Sequence, residues 1–352
     1  MKVGLVIYGS IDTVSGGYLY DRKLVAHLRA SGDDVRIVSV PPARYVPHLI
    51  DNLSFRLPLD LDVIIEDELV HPSVLLCNRM CPPSLPVLSL VHNLHSSERR
   101  AAWQNAIFRQ IEAAHLRSVD GYIFNSTVTR DAVWALVGDT RPFVLATQAG
   151  DRLGSLPSEA IRARAAHAGP LRLLFLANVT PLKGLHVLLD ALAPLPADSC
   201  TLDIAGSLTV DGAYASRMQR QAESLPLPVR FHGVLDGAPL IDLVSHSDAL
   251  VIPSYYEGFG ISYLEGMAFG LPAIGTTAGA IPYMIRNAVN GYMISPGDSA
   301  ALSGIITKLA ADRALLLRLS LAARETFAEF PTWAASAGLV REFLRQMVGS
   351  QH

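Results

Sequence analysis

Three cysteines, Cys77, Cys81 and Cys200, stand in a chain of 352 residues. They are too few for a disulfide framework, and Cys77 and Cys81 have no second pair to complete a structural zinc site. Free thiols in a reducing compartment are expected. Charge is scarce as well, 17% of residues against 50% hydrophobic, which excludes a disordered or fibrous chain. The net charge of −3 supplies no positive field to recruit nucleic acid. Lysine is confined to Lys2, Lys23, Lys183 and Lys308, so arginine carries most of the basic charge. Long apolar runs are missing too. The uncharged stretch Gly266–Ile285 holds four glycines and two prolines and does not read as a membrane span. No signal-peptide core follows the apolar run Val3–Tyr8. A cytoplasmic protein is expected.

What the chain does have is an alternation of short apolar, β-branched runs with longer amphipathic stretches. The first half carries Val3–Tyr8, Val35–Val40, Val63–Ile65, Val87–Val91, Tyr122–Phe124 and Phe143–Ala146. The second half carries Leu171–Ala177, Leu202–Ala205, Val229–His232, Ala249–Pro253, Ala273–Thr276 and Tyr292–Ile294. Such runs between helical segments read as buried parallel strands of βαβ units. Two series predict two doubly wound α/β domains, 1–165 and 166–330. The join is placed in the strandless segment 150–170, which carries Gly154, Pro157, Gly169 and Pro170. A last helix, about Trp333–Met347 within 331–352, is expected to cross back to the first domain.

Five stretches could carry chemistry. The first runs Pro253-Ser254-Tyr255-Tyr256-Glu257-Gly258-Phe259-Gly260-Ile261-Ser262-Tyr263-Leu264-Glu265, directly after an apolar strand. Gly258 and Gly260 free the backbone for close approach to a ligand. Free amides at a helix start near Ile261 suit a phosphate. Glu265, about one turn in, leans back toward that end and can accept hydrogen bonds from ribose or sugar hydroxyls. The second is the turn Asn178-Val179-Thr180-Pro181-Leu182-Lys183-Gly184 after another strand, where the Lys183 ammonium is a compact partner for a diphosphate. The third is Ser15-Gly16-Gly17-Tyr18 at the first strand-to-helix turn, which falls short of a full G-x-G-x-x-G. The fourth is Val91-His92-Asn93-Leu94-His95-Ser96-Ser97-Glu98. No further ligand follows its two histidines at zinc spacing, and a strand-end histidine can hydrogen-bond a substrate hydroxyl. The fifth, Glu66-Asp67-Glu68 at another strand end, could hold acceptor hydroxyls if that end faces a cleft, and a solvated loop is the safer reading.

The pattern PS-x2-EGFG-x4-E, with Glu257 and Glu265 in E-x7-E spacing, resembles the retaining, nucleotide-sugar-dependent glycosyltransferases of family 4, the group 1 domain. Gly270-Leu271-Pro272, Gly279, Asn290-Gly291, Pro296-Gly297-Asp298, Ala205-Gly206, Phe231-His232-Gly233-Val234 and Ser247-Asp248 carry the same resemblance, mostly within 166–330. It is looser before that, through Gly16-Gly17, the strand-end His and Phe124-Asn125-Ser126.

The resemblance implies a GT-B fold, two Rossmann-like domains facing across a cleft. It implies a second domain that binds a nucleoside-diphosphate sugar. Glu265 would hold the ribose. Glu257 with Gly258, Phe259, Gly260 and Ile261 would contact sugar and phosphates, and Lys183 the diphosphate. Asn178, Gly206, Gly233 and Val234 would also line the donor site, and the Gly16-Gly17 loop would touch the phosphates. His92 fits the family's strand-end His and His95 its H-x-x-E run, so the histidine near the reacting carbon is one of the two. Two departures stand out. Asn178 occupies the position of an arginine that usually partners the lysine, and Tyr283 follows Pro282 where the family often has Glu.

No acidic metal-binding motif is evident, so metal-independent transfer without any cofactor is expected. The acceptor, whether glycan, lipid or small molecule, is unspecified. The segment 97–117, with Arg99, Arg100, Trp103, Phe108 and Arg109, has the composition of a helix lying on an anionic membrane, although a solvated face accounts for it as well. A GT-B sugar-nucleotide-binding protein or epimerase without transfer is the alternative. An NAD(P)-dependent oxidoreductase would need a full glycine fingerprint and leaves E-x7-E unexplained.

Overall fold

The computed structural model describes residues 1–13, 15–41, 45–97, 101–138 and 141–350. Two compact units emerge, Met1–Gln148 together with Pro331–His352, and Ala149–Phe330. The second unit therefore begins at Ala149 and not at 166. Residues 149–165 pack within it: Gly150 approaches Leu264 so closely that a Cβ would sit 2.5 Å from its side chain. The guanidinium of Arg164 donates to the carbonyls of Phe269 and Gly270, both at 2.8 Å.

In the first unit the elements run β1 (Lys2–Tyr8), α1 (Gly16–Ala30), β2 (Asp34–Val40), α2 (Tyr45–Ser54), β3 (Val63–Asp67), α3 (His71–Asn78), β4 (Val87–Val91), α4 (Ala102–Leu116), β5 (Gly121–Phe124), α5 (Thr127–Val137) and β6 (Phe143–Leu145). The second unit holds α6 (Ser158–Ala165), β7 (Leu171–Leu176), α7 (Leu185–Leu192), β8 (Cys200–Ala205), α8 (Gly212–Glu223), β9 (Val229–Gly233), α9 (Gly237–His246), β10 (Ala249–Val251), α10 (Ile261–Ala268), β11 (Ala273–Thr276), β12 (Gly291–Ile294), α11 (Ser299–Ala311) and α12 (Arg313–Ala328). The last helix, α13 (Trp333–Gly349), belongs to the first unit, where Arg341 donates to Asp33 at 2.6 Å. Among the described residues no helix is long and apolar enough to cross a membrane.

Each unit has one six-stranded sheet, ordered β2-β1-β3-β4-β5-β6 and β12-β11-β10-β7-β8-β9, with every strand pair parallel. The apolar runs form these strands because helices cover both faces, so no alternation is needed. The order reverses between β1 and β3 in one sheet, and between β7 and β10 in the other. Ligands of open parallel sheets bind at the carboxyl ends beside such a reversal. The turns after β1, β3, β7 and β10 are thus singled out by topology alone. Glu98, Arg99 and Arg100, from the basic segment, lie outside the described residues.

The solvated loop expected at the acidic triple is not found. β3 runs two residues beyond the apolar run, and Glu66, Asp67 and Glu68 are all buried. Asn78 donates to one oxygen of Glu66 at 3.0 Å and the Leu69 amide to one oxygen of Asp67 at 2.8 Å. Burial pushes the Glu66 carboxyl up to about 8, although the Asn78 bond pulls the other way. Burial also pushes the His115 imidazole, 3.8 Å from Glu66, down to about 3.

These shifts set opposite slopes of stability with pH. Between the ordinary value of 4.5 and about 8, folded Glu66 keeps a proton that the unfolded chain releases, so stability falls as pH rises. Between about 3 and 6.5, folded His115 lacks a proton that the unfolded chain binds, so stability rises with pH. Above 6.5 only the falling limb remains of this pair. Glu66→Gln is expected to remove up to about 1.4 kcal/mol per pH unit of that fall. Urea unfolding at about pH 6.5 and 8 measures it; equal losses in wild type and variant would contradict it.

Candidate active site

In the second unit the turns after β7 and β10 are bolted together. The turn after β7 closes in a short 3-10 segment, Pro181–Lys183, followed by Gly184 in the left-handed region at φ +72°. A Cβ on Gly184 would lie 2.2 Å from the Pro253 carbonyl, so only glycine permits this approach. The Tyr255 amide then donates to Leu182 at 2.8 Å. This brings the Lys183 ammonium onto a carboxylate oxygen of Glu257, in a hydrogen-bonded ion pair. Ser254 donates to the same oxygen at 3.3 Å. The Glu257 carbonyl accepts from the Ala280 amide at 2.9 Å, and Gly279 passes so close that a Cβ would meet that carbonyl at 2.1 Å. Lys183 and Glu257 are 74 positions apart in sequence, and the fold puts this cation and this anion together at the sheet's reversal.

Of the two glycines after Glu257, Gly260 is the one that needs its freedom, with φ +98° at the cap of α10. Gly258 is not among the positive-φ glycines. Phe259 and Ile261 are buried beside it. The Glu265 carboxylate, also buried, accepts from Arg152 Nε at 2.7 Å, and Arg152 Nη1 donates to the exposed Asp236 at 2.8 Å. Sequence reasoning misses Arg152; its only signal is a basic residue in the segment after β6.

Asn178 does not stand in for an arginine. Its side-chain oxygen accepts from the Ser207 amide at 3.1 Å, which ties the ends of β7 and β8 together. Gly206, φ +153°, passes so close to Ala177 that a Cβ would lie 1.9 Å from its carbonyl. Gly233 closes β9 at φ +68° with Val234 exposed after it. His186, likewise missed, lies beyond the Lys183 turn and sits between the hydroxyls of Tyr214, 2.7 Å, and Tyr255, 3.2 Å. Two stretches of the resemblance are structural: Asp248 accepts from Arg172 at 2.7 Å, and Asn290 accepts from the Arg286 amide at 2.7 Å.

In the first unit Gly16 and Gly17 open α1, capped by Ser15, whose hydroxyl accepts from the Tyr18 amide at 3.3 Å. A Cβ on Gly17 would stand 3.3 Å from the ring of His92, so the glycine makes room for that ring. His92 follows β4, and its Nε2 lies 3.3 Å from Asp21 and 3.9 Å from Asp67. Burial lowers the affinity of this ring for a proton, but the bond to Asp21 and the charges of Asp21 and Asp67 outweigh it, so its pKa is raised. His95 instead stacks on Tyr45 at 5.2 Å between ring centres and packs on Phe108. The H-x-x-E partner Glu98 lies outside the described residues. Asp21 has a legible signal: it is an acid on the apolar face of α1, among Tyr18, Leu24, Val25 and Leu28.

The family profile described as glycosyl transferases group 1 matches residues 122–326, more than half of the chain. The chain belongs to this family. It is 29% identical over 281 residues to the glycogen synthase of Mycobacterium tuberculosis H37Rv, covering 76% of this chain and 64% of that protein. The match thus spans less than two thirds of that relative. Among solved structures, the sucrose-phosphate synthase of Thermosynechococcus elongatus superposes with a TM-score of 0.82 at 21% identity, covering 99% of each chain. HepE of Anabaena, solved in complex with UDP-glucose, superposes with a TM-score of 0.76 at 19% identity over 98% of this chain and 100% of that one. The two six-stranded parallel sheets are those of the GT-B fold.

Proposed function

We propose that this group 1 transferase moves a sugar from a nucleoside-diphosphate sugar to an acceptor hydroxyl, with retention at the anomeric carbon and without a metal. The observation that carries the reading is the Lys183–Glu257 pair at the β7/β10 reversal. A diphosphate beside Glu257 alone would be repelled. Lys183 neutralises that carboxylate and supplies the positive charge that a departing phosphate needs. The amides around Gly260 and Ile261, at the start of α10, add partial positive charge to the same anion. Glu257 accepts hydrogen bonds from sugar hydroxyls, and Glu265 from the ribose, with Arg152 fixing the second carboxylate. The complex of HepE with UDP-glucose supports a donor of this class.

In the reaction the bond between the anomeric carbon and the β-phosphate oxygen breaks. The acceptor oxygen bonds to the same face of that carbon, and its proton passes to the leaving phosphate. Of the two candidate histidines we assign His92 to the substrate, because His95 is held within an aromatic cluster. The two His-and-carboxylate clusters of the first unit are assigned no metal. In one, His92 Nε2 and Asp21 stand at hydrogen-bonding distance, 3.3 Å; in the other, Glu112 accepts from the Ser96 amide at 3.1 Å and His71 bonds the Glu68 carbonyl at 2.8 Å.

Asn178 in place of a second cation favours one further reading, a sugar-nucleotide-binding protein without transfer. Incubation with UDP-, GDP-, ADP- and dTDP-sugars, with and without EDTA, separates the two. The expected result is turnover of one donor, undiminished by chelation. Binding without turnover would support the second reading, and activity lost to EDTA and restored by Mg²⁺ would refute metal independence.

A further inference from the structure

His92 is held from several sides. Gly17 of α1 leaves space against the ring, and Tyr20 of the same helix meets it edge-on at 5.3 Å between centres. Asn125, after β5, donates to the His92 carbonyl at 3.0 Å and pins the backbone. Two carboxylates from different elements then converge on one ring nitrogen: Asp21 from α1 and Asp67 from the end of β3, the strand beside the sheet's reversal. Both are buried, Asp21 at 0% exposure. Asp67 is itself fixed through its other oxygen by the Leu69 amide at 2.8 Å. Burying two acids this close together costs several kcal/mol unless a proton or cation is shared between them. The ring N–H is the group placed to do that.

Two buried polar atoms are left over, Asp21 Oδ2 and His92 Nδ1, neither with a hydrogen-bond partner among the described residues. A buried polar atom without a partner is a standing cost, roughly 1–3 kcal/mol. The remaining groups against the ring do not compete. The Tyr20 hydroxyl donates to the Ala146 carbonyl at 3.0 Å and the Tyr18 hydroxyl to the Tyr8 carbonyl at 2.6 Å.

We infer that Asp21 and Asp67 are positioning residues for His92: they hold the hydrogen on Nε2 and fix the ring in one tautomer and one orientation. Asp21, the nearer, takes the hydrogen bond, and Asp67 restrains it from the other side. The inference rests on the proposed transfer reaction for its catalytic meaning, but not for its geometry. A histidine oriented by a carboxylate keeps one tautomer and one orientation, and general acid–base or hydrogen-bonding assistance of this kind contributes roughly 10²–10⁴ in rate.

The test pairs kinetics with a ring readout on the full chain. Asp21→Asn keeps an acceptor but removes the charge; Asp21→Leu removes both. Thermal unfolding checks that each variant remains folded. Asp21→Asn is expected to lower kcat about 10- to 100-fold with the donor KM unchanged, and Asp21→Leu to lower it further. In ¹⁵N-labelled protein the His92 ring, assigned by its loss in His92→Asn, is expected to show the hydrogen on Nε2 in the wild type. In Asp21→Leu its ring nitrogen shifts should move. Unchanged ring shifts in Asp21→Leu, or a kcat within twofold of wild type in both variants, would overturn the inference. If the wild type turns over no sugar nucleotide, the transfer reading fails, and the ring shifts alone still decide whether the carboxylates position His92.

Discussion

Lys183→Ala is expected to lower turnover of the donor by roughly 100- to 1000-fold, the loss typical of removing one preorganised donor from a developing anion. The effect has two parts. In the proposed reaction negative charge grows on the departing phosphate, and Lys183 is the cation assigned to meet it. Its removal also leaves the Glu257 carboxylate, mostly buried, with Ser254 as its remaining side-chain donor among the described contacts. That carboxylate then repels the diphosphate it should sit beside. The two parts separate in the double variant Lys183→Ala/Glu257→Gln. Removing the anion should restore some donor affinity, while kcat stays low because no cation meets the leaving group. Turnover within threefold of wild type in Lys183→Ala would place the phosphates elsewhere.

Glu265→Ala is expected to raise the donor dissociation constant about 10- to 150-fold, the equivalent of roughly 1.5–3 kcal/mol for a hydrogen bond to a charged acceptor. Glu265 is buried at the end of the first turn of α10 and held by Arg152. It is therefore a fixed acceptor that loses little ordering entropy when a ribose arrives. The loss should be specific to the ribose. Wild type should bind the nucleoside diphosphate more tightly than its 2′-deoxy form, and Glu265→Ala should bind the two alike. Because Arg152 shares the carboxylate, Arg152→Ala is expected to be non-additive with Glu265→Ala. Calorimetry with the two nucleotides measures all three; an unchanged dissociation constant in Glu265→Ala would remove the ribose role.

The strands are legible in the sequence because parallel strands covered on both faces are continuous apolar runs, and every one of the runs named above overlaps a strand of one of the two sheets. Their ends are less so. β3 continues into Glu66 and Asp67, since burial of acids beside donors such as Asn78 leaves no trace in local hydrophobicity. The second-unit site is legible in its spacing, since Glu257 and Glu265 are eight residues apart across one strand-to-helix turn. Its contacts are not. The Lys183–Glu257 pair depends on Gly184 and Gly279 admitting carbonyls from distant turns. Arg152 reaches Glu265 across 113 residues, which no periodicity encodes. Asn178 reads as a missing cation, whereas the fold uses its amide to tie two strand ends together. Between His92 and His95 sequence alone cannot choose, because the distinction lies in what surrounds each ring, two carboxylates or two aromatic side chains.

The claim on which the account turns is that the β7/β10 reversal is a diphosphate site built on Lys183. Thermal unfolding of wild type and Lys183→Ala with UDP, GDP, ADP and dTDP, each beside its monophosphate, tests it most directly. A ligand that binds only the folded form raises its melting temperature. One diphosphate is predicted to stabilise the wild type clearly more than its monophosphate, and that difference is predicted to vanish in Lys183→Ala. Equal shifts by the diphosphate in both proteins, or no shift by any of the four in the wild type, would contradict it.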